Sequence, residues 1–251
     1  MKTKDDYLKM QKDYYDSFSD EQSFKDRVVG NYDSQQRYNY EKWLLTYNGN
    51  SNTPLFENTG NKVALDYGCG MGRMVERMNK IFNRTDGVDI GANLISYCKE
   101  HYPESNFWLT EGSNCGDAPS EQYDFIYSTI CMQHICSHSV RMNIWESISK
   151  SLKKGGKINF QMLGFNDIAH SQMHMESFNT KHGRYPQFAR WNEDHFDAKS
   201  TNSSHDVYIF REDYEKIIED ANRFFQNCII YEDATITSLW NKVYITAEKR
   251  D

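Results

Sequence analysis

The stretch Val63-Ala64-Leu65-Asp66-Tyr67-Gly68-Cys69-Gly70-Met71-Gly72-Arg73 restricts the fold more than any other part of the chain. Val63 to Leu65 reads as a short strand, and Met74, Val75, Met78, Ile81 and Phe82 then recur at helical spacing. Three glycines therefore stand where a strand turns into a helix. Lacking a Cβ, they let the backbone turn tightly and approach a ligand closely. About twenty residues beyond Gly68, Asp89 closes a second strand signal, Gly87-Val88-Asp89-Ile90. A carboxylate there can accept both hydroxyls of an adenosine ribose, so the two segments together predict a nucleoside site.

The alternation continues along the chain. Leu94, Ile95 and Cys98 mark a helix, Asn106 to Leu109 a weaker third strand, and Tyr123 to Ser128 a fourth. Val140, Ile144, Ile148 and Leu152 share one helical face. Gly155-Gly156 is expected to end that helix, and Lys157 to Met162 supplies a fifth strand. Tyr214, Ile217, Ile218, Ala221 and Phe225 suit a closing helix, followed by strands over Cys228 to Ile236 and Val243 to Ala247. Strands and helices in this order predict an α/β fold, a seven-stranded mostly parallel sheet with helices on both faces.

Two stretches lie outside that rhythm. Residues 1–47, rich in charge and tyrosine, read as a helical N-terminal cover, with Tyr38, Trp43, Leu44, Leu45 and Tyr47 its clearest apolar pattern; residues 48–54 are a loop by composition. Residues 164–211 mix His, Asn, Ser and aromatics without a period, as expected of a lid or acceptor-binding insertion. The whole of 1–251 is expected to be one domain.

The net charge of -7 argues against a nucleic-acid partner, which needs a basic face to meet phosphates, and favours a small polar one. No apolar run is long enough to span a bilayer and the N-terminus lacks a secretory stretch, so no membrane partner and a cytoplasmic location are expected. Six cysteines without a CxxC pair fit free thiols. Oligomeric state is not legible.

The glycine spacing narrows the ligand. A dinucleotide fingerprint is G-x-G-x-x-G, whereas Arg73 stands where its third glycine belongs. Asp66, just before the turn, suits an ammonium or sulfonium and opposes a pyrophosphate.

LDYGCGMGRM at residues 65–74 resembles the first motif of class I S-adenosylmethionine methyltransferases, and GVDI at 87–90 resembles their second. Tyr123 to Ser128 followed by Met132-Gln133-His134-Ile135 resembles their fourth strand and the turn after it. Leu152-Lys153-Lys154-Gly155-Gly156 resembles their L-K-P-G-G. The likeness covers residues 62–163 in the right order and implies a Rossmann-like fold with S-adenosylmethionine as cofactor.

The resemblance implies that Gly68, Cys69, Gly70 and Gly72, with Asp66 nearby, hold the methionine part. Asp89 takes the ribose hydroxyls and Ile90 packs on adenine. Gly112 and Ser113 follow the third strand, where the family contacts the adenine edge, although a Gly-Asp pair is commoner there. Thr129 matches the position whose backbone accepts from the cofactor's amino group. Arg37, on the N-terminal cover, is a candidate partner for its carboxylate by position alone.

Methyl transfer is an in-line displacement, so alignment of acceptor and donor and exclusion of water should dominate. A hydroxyl acceptor must also lose a proton, and His134, just past the fourth strand, is the candidate base; a histidine capping the next helix is the equally good structural reading. His170, His174, His182, His195 and His205 lack metal-ligand spacing, and no metal is expected. Tyr7, Tyr14, Tyr15, Tyr32, Tyr38 and Tyr40 suit packing better than an acceptor pocket. Phe188 and Trp191, near Arg184 and Arg190, suggest either a sugar-stacking or anion-binding surface or a small satellite core. The expected activity is methyl transfer to an oxygen or nitrogen of a small polar metabolite, such as a sugar. The alternatives are an NAD-dependent oxidoreductase, which Arg73 and Asp66 disfavour, and a binding protein without turnover.

Overall fold

A computed structural model describes residues 2–18, 22, 38–47, 53–165, 187–196, 205–233 and 240–250. The strands are β1 (Val63–Tyr67), β2 (Arg84–Asp89), β3 (Phe107–Leu109), β4 (Tyr123–Ser128), β5 (Leu152–Phe165), β6 (Gln187–Ala189), β7 (His205–Phe210), β8 (Phe225–Glu232) and β9 (Trp240–Lys249). The helices among the described residues are α1 (Lys4–Asp16), α2 (Tyr40–Leu44), α3 (Arg73–Met78), α4 (Ala92–His101), α5 (His138–Ser151) and α6 (Tyr214–Ala221).

Seven strands form the expected sheet in the order β3-β2-β1-β4-β5-β9-β8, parallel except for β9, which is antiparallel to β5 and β8. Alternation along the strands sends side chains to two cores. Leu65 and Ile126 face the one covered by α5 and α6, which holds Trp145 and Ile217; Ala64, Phe125 and Tyr127 face the one covered by α2 and α3, which holds Trp43 and Met74. Helices thus lie on both faces of the sheet.

Two expectations need correction. Gly155 and Gly156 do not end α5, which stops at Ser151; they lie in β5, where the β4 pairing jumps from Tyr123↔Leu152 to Phe125↔Lys157. A Cβ on Gly156 would meet the carbonyls of Lys153 and Tyr123 at 2.9 and 3.0 Å, so the glycines serve this irregularity rather than a helix cap. The insertion 164–211 is also not wholly irregular. β5 outruns β4, whose last pairing is Ser128↔Phe160. Since β9 occupies the other edge of β5, β7 pairs with Leu163 to Phe165 in the lane that β4 vacates, and β6 adds to β7. These two short strands make the sheet nine-stranded and bring the insertion against the 3-10 turn Met132–His134.

Candidate functional site

A cleft of about 710 Å³, its solvent-open part included, lies at the carboxyl ends of β1, β2 and β4. Gly68 and Gly70 form one side, Asp89 and Ile90 at the end of β2 the next. Thr110 and Gly112 follow β3, and Ile130, Cys131, His134 and Ile135 follow β4. Tyr7, Leu8, Gln11 and Tyr15 of α1 complete it. Ligands of open parallel sheets bind at this edge.

The glycine turn is fastened from below and behind. The Gly68 and Cys69 N–H groups donate to the Val88 carbonyl at 2.8 and 3.0 Å, and Gly70 N–H donates to Asp89 Oδ2 at 2.8 Å. Gly68 has φ 80, and a Cβ there would overlap the side chain of Cys131, so only glycine fits both its conformation and its neighbour. Asp89 Oδ1 accepts from Gly91 N–H at 2.9 Å, tying the turn to the start of α4. Burial raises the Asp89 pKa, opposed by the N–H groups of Gly91, Gly70 and Ile90. Each carboxylate oxygen keeps lone-pair capacity for a further donor.

Gly112, at φ 90, lies beside Ile90 and Leu8; a Cβ would meet Ile90 Cδ1 at 2.7 Å and Leu8 Cδ2 at 3.3 Å. Leu8, Ile90 and Gly112 pack together as an apolar wall of the cleft beside the Asp89 carboxylate, a polarity that suits a base attached to a diol.

α1 is held at both ends. The buried Tyr7 hydroxyl accepts from Cys136 N–H at 2.9 Å, and Asp16 Oδ1 accepts from Ala92 N–H at 2.6 Å in the first turn of α4. A carboxylate there also faces the positive end of the α4 dipole. A capping box at Thr3 starts the helix, which explains why a segment without a strong apolar stripe is helical. The sequence placed the clearest cover pattern near Trp43, but there the described helix is only Tyr40–Leu44.

Among the predicted site residues, Gly68, Gly70, Asp89, Ile90, Gly112 and His134 converge on the cleft. Gly72 caps α3 in a left-handed conformation, and Cys69 is buried beside Gly87; neither lines the cleft. Ser113 and the buried Thr129 are also outside its lining, where Ile130 and Cys131 stand instead. Asp66 lies behind the turn, 1% exposed, and burial pushes its pKa up to about 8 against the pull of Arg73. Arg37, His170, His174, His182, Arg184 and Tyr32 lie outside the described residues.

Of the insertion's aromatics, Trp191 is fully buried against Trp145 and beneath the Arg141 guanidinium, with its indole N–H on Asp220. Arg190 pairs with Glu212 and Asp213. Trp191 and Arg190 therefore serve packing rather than an open sugar or anion surface. The Phe188 side chain is outside the described residues. His195 pairs with Glu193, and no cluster of metal-ligating groups occurs among the described residues. Among these residues, too, no helix is long and apolar enough to cross a membrane.

Sequence reasoning missed Leu8, Gln11, Ile130 and Cys131. Leu8 and Gln11 sit on a helix start signalled only by the Thr3 and Asp6 pair. Ile130 has φ 54, a conformation no β-branched residue announces.

A family model described as a methyltransferase domain matches residues 64–156. The ubiquinone biosynthesis O-methyltransferase of Hydrogenovibrio crunogenus is 24% identical over 115 residues, 44% of this chain and 46% of that protein. A putative methyltransferase of Invertebrate iridescent virus 6 is 27% identical over 100 residues, 39% of this chain and 36% of that protein. The matches thus span less than half the length of these curated relatives. Among solved structures, the geranyl diphosphate C-methyltransferase of Streptomyces coelicolor superposes with TM-score 0.55 at 13% identity, covering 97% of this chain and 98% of that one. The Haemonchus contortus phosphoethanolamine N-methyltransferase 2 gives 0.52 at 16% identity, covering 91% and 59%. At such identities the likeness is one of fold.

Proposed function

We propose that this chain, a member of the class I S-adenosylmethionine-dependent methyltransferases, transfers the cofactor's methyl group to an oxygen or nitrogen of a small polar acceptor. Asp89 carries the reading: a buried carboxylate already bonded to the glycine turn, with capacity left for a diol, beside the apolar wall of Ile90, Leu8 and Gly112.

The residues present fit the cofactor. Asp89 would take the ribose hydroxyls, Ile90 would pack on the adenine, and the backbone at Gly68 and Gly70 would hold the methionine part. S-adenosylmethionine supplies an electrophilic methyl carbon on a positively charged sulfur. The chain's own work is positioning: the glycine turn, the turn after β4 and α1 together line the cleft in which acceptor and donor would be aligned. His134 on that second turn is our candidate to accept the proton of a hydroxyl acceptor.

The acceptor assignment rests on the acidic charge and on the concave cleft. A sugar has less support, because Trp191 is buried.

Calorimetry with S-adenosylhomocysteine tests the cofactor site. The native chain should bind it, and Asp89→Ala should weaken binding about a hundredfold, the loss of two hydrogen bonds to a charged group. No heat with the native chain at millimolar ligand would sink the reading. Turnover with methyl-labelled cofactor and a cell extract tests the acceptor: label in protein or nucleic acid alone excludes a small molecule.

A further inference from the structure

Ile130 lines the cleft at φ 54, a left-handed conformation that is strained for a β-branched residue and persists only where the surroundings impose it. The imposing group is a side chain from the neighbouring strand. Gln161 of β5, fully buried, accepts the Ile130 N–H on Oε1 at 2.8 Å. Its Nε2 donates to Gln133 Oε1 and to the Met162 carbonyl, each at 2.9 Å. Gln161 is therefore fixed at both ends of its amide, and Gln133 belongs to the same 3-10 turn that carries His134.

The consequence reaches the glycine turn. Cys131, the next residue, fills the space that a Cβ on Gly68 would need, so the turn after β4 and the glycine turn interlock. Moving Ile130 to an ordinary backbone conformation would shift Cys131 off Gly68 and alter both sides of the cleft.

We infer that Gln161 is a positioning residue for the cofactor cleft, holding Ile130 left-handed so that Ile130, Cys131 and the His134 turn keep their places against the glycine turn. The inference rests on the methyltransferase reading of that cleft. Gln161 acts through Ile130 and lies outside the cleft lining.

A double-mutant cycle on the full chain tests this, with S-adenosylhomocysteine affinity by calorimetry as the readout. Gln161→Leu should weaken binding about tenfold. Glycine adopts the required conformation unaided, so in an Ile130→Gly background the same Gln161→Leu change should weaken binding less than about twofold. A purely packing role for Gln161 predicts equal losses in both backgrounds and overturns the inference. If Gln161→Leu folds only together with Ile130→Gly, the coupling is upheld; if it folds in neither background, the residue is structural and the inference falls. Native affinity retained by Gln161→Leu also sinks it while leaving the methyltransferase reading intact. A native chain that ignores the ligand overturns both.

Discussion

Two interlocking turns line the cleft, and they meet the same backbone demand by different means. The turn after β1 places Gly68, Gly70 and Gly72 at φ 80, 54 and 80. The turn after β4 places Ile130 at φ 54. Glycine takes such angles without steric penalty, whereas a β-branched residue needs compensation from elsewhere, here the side chain of Gln161. The difference teaches where structural information resides. A conformation satisfied by residue type is visible locally; one satisfied by a tertiary hydrogen bond is not.

The largest effect should come from moving the first turn toward the second's problem without its solution. Gly68→Ala places a Cβ at φ 80 and drives it into Cys131, so strain and overpacking add. A loss of about 3 kcal/mol or more is expected, read as a fall in the urea midpoint with unchanged slope. A variant within about 1 kcal/mol of the native chain would show that the two turns are not interlocked.

That contrast also explains what the sequence disclosed. The parallel sheet, the glycine turn and Asp89 were legible because each rests on a local pattern: alternation, a bend at a strand end, a carboxylate at a fixed offset. Ile90 and Gly112 were reached only through the family resemblance. Ile130 and Cys131 were not legible, because their positions depend on Gln161, thirty-one positions along the chain from Ile130. α1 was read as part of a cover but not as a wall of the cleft, since its placement depends on Tyr7 meeting Cys136 N–H and Asp16 meeting Ala92 N–H. Strands β6 and β7 were hidden too: both are short, β7 pairs with an edge that exists only because β5 outruns β4, and β6 pairs with β7. The matching glycines at 155 and 156 misled in the opposite direction, a correct motif given the wrong local role.

The two turns should also differ in their response to pH. Behind the glycine turn, Asp66 is buried with its pKa raised from 3.8 to about 8, chiefly by desolvation. The hydrogen bonds that hold Ile130 are made by the neutral amides of Gln161 and Gln133. With its folded pKa above its unfolded one, Asp66 leaves the folded state binding more protons between pH 4 and 8. Its contribution to stability is therefore complete below about pH 4 and is lost as pH rises through about 8, with a slope of at most about 1.4 kcal/mol per pH unit. Asp66→Asn should flatten the fall in stability between pH 5 and 8 in urea titrations, while Gln161→Leu should leave its slope alone. An unchanged slope in Asp66→Asn would assign the titration to another group.

The smallest effect is the most discriminating. Ile130→Gly removes a strained side chain, and relief of about 1 kcal/mol or more opposes the lost apolar contact and the added freedom of the unfolded chain, each of similar size. The net change in stability should lie within about 1 kcal/mol of zero. This contrasts with Gly68→Ala, although both variants exchange glycine with a side-chain-bearing residue at a left-handed position of the same cleft. A loss above about 2 kcal/mol in Ile130→Gly would mean that the isoleucine is kept for its packing and that its backbone conformation is carried at little strain. The near-neutral outcome would place the requirement in the backbone angle itself, which one turn meets with glycine and the other with a hydrogen bond from β5.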